Sequence, residues 1–279
     1  MITKTAMITI CGRPNVGKST LTNALVGEKI AIVSNKPQTT RNRISAIVNR
    51  GDTQFVIIDT PGFHKPRTRL GDYMVNIVKE SVADVDAVML LVEPIANIGR
   101  QEQELIARIK ETGSPAVLVI NKIDTVEKSQ LLEVMALYSQ AHDFDAIIPM
   151  SAKNGEGIDE LVSQLESYAV EGPQLFPDDM ICDQPEKQIC AELVREKLLL
   201  CLDKEIPHGT AVEVTRFTER DNGIIDLDVT IYCEKASHKG IIIGKQGTML
   251  KKIGELARGD IEAFMGTKVY LQTWVKVKE

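Results

Sequence analysis

The chain has 279 residues, enough for one large domain or two ordinary ones, and two is the starting expectation. Apolar residues make up 43% and charged residues 26%, which excludes a largely disordered chain. A formal net charge of −6 argues against indiscriminate nucleic-acid binding. No apolar run approaches the roughly 18 residues that span a bilayer, and Met1–Lys4 leads straight into a strand instead of a signal-peptide core. The expectation is therefore a cytosolic protein. Five cysteines lie scattered without a Cys-x-x-Cys pair, so neither a zinc site nor a disulfide framework is expected. Cys190 and Cys201 share a helical face, but eleven residues at a rise of about 1.5 Å place them roughly 16 Å apart, too far to bridge.

In chain order, Ala6–Cys11 reads as a short strand and Ser19–Val26 as a helix with Leu21, Ala24 and Leu25 on one side. Ile44–Val48 and Phe55–Ile58 flank Arg50-Gly51-Asp52 as a hairpin. Apolar runs at Ala87–Val92, Ala116–Ile120 and Ala146–Met150 are strands separated by the helical patterns Glu102–Lys110 and Leu131–Ala141; Ile158–Tyr168 closes the series as a helix. Strands alternating with helices imply an α/β domain with a mostly parallel sheet, helices on both faces and one antiparallel edge hairpin. Glu171–Asp179 has no periodicity and carries two prolines, so it reads as a linker. A new helix is expected from a capping box at Asp183 and Glu186, with Pro185 in its first turn. The strands Ala211–Phe217 and Ile225–Cys233, a helix before Gly244, a helix Thr248–Phe264 and a strand near Lys268–Val277 complete an α+β second domain.

Gly12-Arg13-Pro14-Asn15-Val16-Gly17-Lys18-Ser19 follows the pattern Gly, four residues, Gly-Lys-Ser, and lies between a strand and a helix, as a phosphate-binding loop must. Backbone N–H groups there can approach phosphates, Lys18 is expected to contact the β- and γ-phosphates, and Ser19 is expected to ligate Mg²⁺, with Thr20 next in the helix. Asp59-Thr60-Pro61-Gly62 ends a strand, with Asp59 placed for the metal shell and the Gly62 N–H for the γ-phosphate. Asn121-Lys122-Ile123-Asp124 ends another strand. Asp124 can accept two hydrogen bonds from guanine N1–H and the 2-amino group, a donor pair that adenine lacks, which ranks GTP above ATP. Ser151-Ala152-Lys153, at the end of the next strand, would add a backbone N–H to the guanine oxygen. The polar stretch Asn35–Arg43 has the composition of a mobile switch loop, with Thr40 the chosen Mg²⁺-reaching hydroxyl and Thr39 the runner-up.

After Gly62 comes Phe63, where Ras-type enzymes carry the glutamine that orients water, so hydrolysis is expected to be slow without help. Asn15, an amide beside the phosphates, is the candidate to help hold a potassium ion that supplies transition-state charge. Lys18, Thr40, Gly62 and Asn15 are thus the catalytic candidates.

From Pro185 onward, 15 basic residues balance 15 acidic ones, leaving 18 against 24 before it. Within the later part, Lys235, Lys239, Lys245, Lys251 and Lys252 fall in a stretch without an acidic residue. A Gly-x-x-Gly turn alone arises about once by chance in a chain of this length. Here an apolar helix ending at Ile243 precedes Gly244-Lys245-Gln246-Gly247, and lysines follow one turn on, as a loop clamping single-stranded nucleic acid requires. The bland alternative is a helix–turn–helix contact with solvated lysines.

The nucleotide motifs, together with Lys36-Pro37-Gln38-Thr39-Thr40-Arg41, Gly172-Pro173-Gln174-Leu175-Phe176-Pro177 and Ile243–Gly247, make the chain resemble the Era family of bacterial Ras-like GTPases with a C-terminal KH domain, over essentially its whole length. The last two stretches separate that family from other small GTPases. The resemblance implies a P-loop GTPase domain over 1–170, a linker over 171–184 and a type II KH domain over 185–279. It further implies a small-subunit ribosome assembly factor that binds single-stranded RNA near the 3′ end of the small ribosomal RNA, with hydrolysis stimulated by that RNA. A monomeric cytoplasmic protein with peripheral attachment to the inner face of the membrane is part of the same implication. Family members run a few residues past Trp-Val-Lys-Val-Lys, whereas this sequence stops at Glu279. Two other readings stay open: a GTPase acting on a protein or membrane partner with a merely structural KH-like domain, and a non-hydrolysing GTP sensor.

Overall fold

Contacts divide the chain, in a computed structural model that describes residues 2–36, 39–62, 85–203 and 206–278, into two units: Met1–Ala31 with Thr40–Asp183, and Ile32–Thr39 with Gln184–Glu279. In the first unit the apolar runs form β1 (Lys4–Gly12), β3 (Thr53–Asp59), β4 (Ala87–Val92), β5 (Ala116–Ile120) and β6 (Ala146–Pro149), joined in parallel register, and β2 (Ile44–Arg50) pairs antiparallel with β3. The order across the sheet is β2-β3-β1-β4-β5-β6, with the short β7 (Val170–Glu171) antiparallel to the start of β1. Every residue of β4 and β5 is buried. A parallel strand covered on both faces has no wet side, so its sequence shows an unbroken apolar run instead of alternation.

Helices α1 (Lys18–Val26), α2 (Arg100–Thr112), α3 (Lys128–Ala141) and α4 (Ile158–Glu166) belong to this unit. Leu105 and Ile109 of α2, with Val134 and Tyr138 of α3, bury against Val88, Leu90, Leu118 and Ile120 of the sheet. Each such side chain contributes about 1.5–3 kcal/mol by leaving water, and that burial fixes α2 beside the end of β1. The stretch expected as a linker is anchored at several points along β2 and β3. The buried Gln54 accepts from the backbone N–H groups of Leu175 and Phe176 at 2.9 Å each, and Ile47 N donates to the Ile181 carbonyl at 2.9 Å.

The expected capping box does not form. α5 (Glu186–Cys201) takes Pro185 as its N-cap, without a side-chain bond, instead of Asp183, whose Oδ1 accepts from Ser45 N at 3.0 Å. In the second unit α5 packs with α7 (Thr248–Met265) over a sheet of β8 (Thr210–Glu219), β9 (Ile225–Cys233) and β10 (Val269–Val277), ordered β10-β9-β8. β10 runs parallel and β8 antiparallel to β9, with a bulge at Val214/Arg216. Lys197, buried on α5, is satisfied by Glu196 at 2.6 Å and by Asp260 of α7. Residues 32–39 join this unit through α5: Val33 N donates to Glu196 Oε1 at 2.8 Å, and the Arg195 guanidinium donates to the Thr39 carbonyl. The short α6 (Ala236–Ile243) ends at Gly244. No described helix is long and apolar enough to cross a membrane.

Candidate functional site

Ligand chemistry gathers at the C-terminal ends of parallel strands, and the motif residues collect there. The loop after β1 turns at Asn15, a non-glycine residue held in the left-handed region at φ 64°, and enters α1 through Gly17 at φ 103°. A Cβ on Gly17 would sit 2.2 Å from Asn121 Nδ2, so both the backbone angle and the close approach demand glycine. Lys18 is buried, and its ammonium donates to the Gly12 and Arg13 carbonyls at 3.2 and 2.9 Å. Burial lowers its pKa against the opposing pull of Asp59 and Cys11. Val16 is buried and its carbonyl accepts from Asn121 Nδ2 at 2.8 Å.

Three oxygens converge beside Lys18. Ser19 Oγ donates to Asp59 Oδ2 at 2.8 Å and lies 3.0 Å from Thr40 Oγ1. Asp59 is fully buried, and its other oxygen, Oδ1, has no hydrogen-bond partner among the described residues. Burial pushes its pKa up to about 6, with Lys18 and Ser19 pulling the other way. A buried carboxylate oxygen left without a donor is a strong cost in a fold; two hydroxyls and this carboxylate form the hard-oxygen set that suits Mg²⁺ together with phosphate oxygens. Of the two threonines, Thr40 reaches Ser19, whereas Thr39 Oγ1 donates to the Lys36 carbonyl at 2.6 Å. Thr60 turns inward, donating to the Ile10 carbonyl at 2.8 Å. Pro61 is buried, and Gly62 lies so close to Pro14 that a Cβ there would come within 2.8 Å of its Cα. Phe63, Pro37 and Gln38 lie outside the described residues.

The loop after β5 supplies the second half. Asn121 is buried, and its Oδ1 accepts from Ala152 N at 2.9 Å. Lys122, at φ 65°, donates to the Asn15 carbonyl at 2.6 Å. Asp124 stands exposed, its Oδ1 accepting from Ser151 Oγ at 2.6 Å. Sequence reasoning valued Ser151 only for a backbone group; its buried hydroxyl instead orients Asp124. Thr20 is half-buried in α1, and Lys153 is exposed beside Ala152. Two acids that no motif singles out, Glu93 after β4 and Glu102 in α2, also reach this loop system.

In the second unit, Gly244 at φ 73° and Gly247 at φ 79° bracket Lys245 and Gln246, both exposed. A Cβ on Gly244 would lie 2.7 Å from Met249 Cβ, so only glycine lets the turn fold onto the start of α7. Thr248 Oγ1 donates to the Lys245 carbonyl at 2.9 Å and closes the turn. Lys251 and Lys252 are exposed one turn on; Ile243 and Lys239 are half-buried on α6, with Ile241 exposed. The turn thus presents backbone, two long polar side chains and flanking cations.

Comparison with known proteins matches residues 7–122 to the 50S ribosome-binding GTPase family and residues 205–279 to the KH domain family. The chain is 53% identical over 275 residues to the GTPase Era of Ruminiclostridium cellulolyticum, covering 99% of this chain and 92% of that relative. It is 52% identical over 277 residues to the GTPase Era of Alkaliphilus metalliredigens, covering 99% and 94%. Among solved structures, Era in complex with MgGDPNP and nucleotides 1506–1542 of 16S ribosomal RNA superposes with a TM-score of 0.93 at 36% identity, covering 99% of this chain and 94% of that one.

Proposed function

The chain belongs to the GTPase Era family, a GTP-hydrolysing family, and from that premise we propose that it is a Mg²⁺-dependent switch that binds the 3′ region of small-subunit ribosomal RNA through its KH domain and assists assembly of the small subunit. The observation that carries the nucleotide half is the convergence on Ser19 Oγ of Thr40 Oγ1 and Asp59 Oδ2, each within hydrogen-bond distance of it, with Asp59 Oδ1 making no hydrogen bond among the described residues. Ser19, Thr40 and Asp59 would hold Mg²⁺, which when bound neutralises charge on the β- and γ-phosphates. The loop's own residues do the rest. Lys18 exchanges its two carbonyl partners for phosphate oxygens, the Gly62 N–H meets the γ-phosphate, and Asp124, steadied by Ser151, accepts from guanine. Asn121 ties the base loop to Val16 and Ala152, so phosphate and base subsites keep their spacing.

Supporting the RNA half are the Gly244–Gly247 turn, the exposed Lys245, Lys251 and Lys252, and the complex in which a 36% identical Era holds 16S ribosomal RNA nucleotides. The same reading has RNA stimulate hydrolysis and Asn15 hold a potassium ion. Asn15 fits such a role in its exposed position on the phosphate loop, with its backbone already fixed through Lys122. Monomeric, cytoplasmic operation with peripheral membrane attachment is carried by the resemblance alone. The test is phosphate release by the full chain with Mg²⁺ in potassium or sodium, with and without a 3′-end ribosomal RNA fragment. The expected result is release that rises with RNA and with potassium, the latter lost in Asn15→Ala. Release indifferent to RNA overturns the RNA half, and equal rates in the two salts overturn the potassium role.

A further inference from the structure

Beside the phosphate loop lie two carboxylates, Glu93 and Glu102, that neither the nucleotide chemistry nor the RNA chemistry uses. Glu102, in the first turn of α2, is 2% exposed, and its Oε1 contacts Arg13 Nε. Glu93 Oε2 lies 3.6 Å from Arg13 Nη2, while Glu93 Oε1 accepts from Lys122 Nζ at 2.6 Å. The same Lys122 ammonium donates to the Asn15 carbonyl, and Lys18 donates to the Arg13 carbonyl at 2.9 Å. The Arg13 side chain is therefore paired with Glu102 by charge contact, with no hydrogen bond at Nε among the described residues, and Glu93 links it to Lys122, whose ammonium holds the Asn15 carbonyl.

A carboxylate taken out of water is costly without a cation beside it, and a buried ion pair adds little net stability over an apolar pair of the same shape. What it does is specify position. Glu102 is also the third residue of its helix, where a carboxylate commonly reaches back to cap the N-terminus. Here it does not cap: Oε2 makes no hydrogen bond among the described residues, and no side-chain cap is present at Gly99. The charge sign points the same way, because two carboxylates next to a loop that receives anionic phosphates are unfavourable unless they hold something in place. We propose that Glu102 is a positioning residue for nucleotide binding, holding Arg13 so that the phosphate loop keeps the shape that receives the β-phosphate, with Glu93 carrying the same restraint to Lys122 and Asn15. This rests on the GTP reading of the site.

The test is the dissociation rate of a fluorescent GDP analogue from the full chain, read by stopped-flow. Failure of the unaltered chain to bind the analogue would sink the nucleotide reading itself; the brace is judged on a chain that binds. Glu102→Gln and Arg13→Ala are each expected to speed dissociation about tenfold, and the double variant no further, because contacting residues couple. A carboxylate acting merely as a distant charge gives the opposite sign: its removal would slow dissociation from an anionic ligand. Gly99→Ala supplies a version that keeps every charge and also covers a Glu102→Gln chain that does not fold. Its φ of −69° accepts alanine, but the new Cβ would fall 2.7 Å from Glu102 Oε2 and displace the carboxylate. Dissociation should again quicken. The preference for GDP over IDP should stay constant in all of these variants, since Asp124 and Ser151 are untouched. Unchanged or slower dissociation, multiplying effects in the double variant, or a lost base preference each overturn the assignment.

Discussion

Ser151→Ala tests whether guanine recognition depends on the orientation of Asp124 as well as on its charge. The hydroxyl is buried and donates to a carboxylate oxygen at 2.6 Å, a short charge-assisted bond. Bonds of that type contribute about 1.5–3 kcal/mol when shielded. Asp124 is exposed, so water replaces part of the loss, and about 1–1.5 kcal/mol, or roughly a five- to tenfold weaker GDP affinity, is the working magnitude. The assay is equilibrium titration with a fluorescent guanine nucleotide for the unaltered chain, Ser151→Ala, Asp124→Ala and the double variant. Asp124→Ala should weaken binding more than Ser151→Ala does, and adding Ser151→Ala to it should cost almost nothing, because the hydroxyl acts through the carboxylate. A serine effect undiminished in the Asp124→Ala background would refute the reasoning and assign Ser151 a contact of its own.

Three further outcomes follow from the geometry. Gly17→Ala places a methyl 2.2 Å from Asn121 Nδ2 at a φ of 103°, so titration should show nucleotide affinity lowered by more than about 100-fold. Asp59 gives a pH signature in the nucleotide-free chain. Its folded pKa near 6 exceeds the ordinary 3.8, so its stabilising contribution is full below about 3.8 and lost as pH rises through about 6. Between pH 5 and pH 8 only the last pH unit of that window is crossed, worth about 1.4 kcal/mol; denaturant titrations at those two pH values should show Asp59→Asn gaining on the unaltered chain by about that much at the higher pH, and parallel pH profiles would contradict this. Gly244→Ala forces a side chain at φ 73° toward Met249, and filter binding should show RNA affinity lost while GTP hydrolysis without RNA is unchanged.

What the sequence made legible was whatever is encoded by local spacing. The phosphate loop, the Asp59 and Asn121 strand ends and the Gly244 turn each consist of adjacent residues whose chemistry is fixed by their own backbone, and unbroken apolar runs marked β4 and β5 as doubly covered strands. What stayed hidden depends on partners far away in the chain. Glu102 resembles any solvated helix glutamate until folding brings Arg13 to it, and Ser151 gains its meaning only from an acid 27 residues earlier. The Asp183 capping expectation missed because α5 takes Pro185 as its N-cap, and local pattern could not foresee the bond that Asp183 accepts from Ser45, 138 residues away. Val33 and Thr39 sit between two nucleotide-site elements in sequence, yet Glu196 and Arg195 bind them within the second unit.

The central claim is that one chain joins a GTP switch to RNA recognition at the Gly244–Gly247 turn. Filter binding of a short fragment from the 3′ end of small-subunit ribosomal RNA, compared with GTP and with GDP present, tests it most directly. The account expects tighter binding with one nucleotide than with the other, and loss of binding in the Gly244→Asp, Gly247→Asp variant with either. Equal affinity in both nucleotide states, or RNA binding undisturbed by the two substitutions, would contradict it.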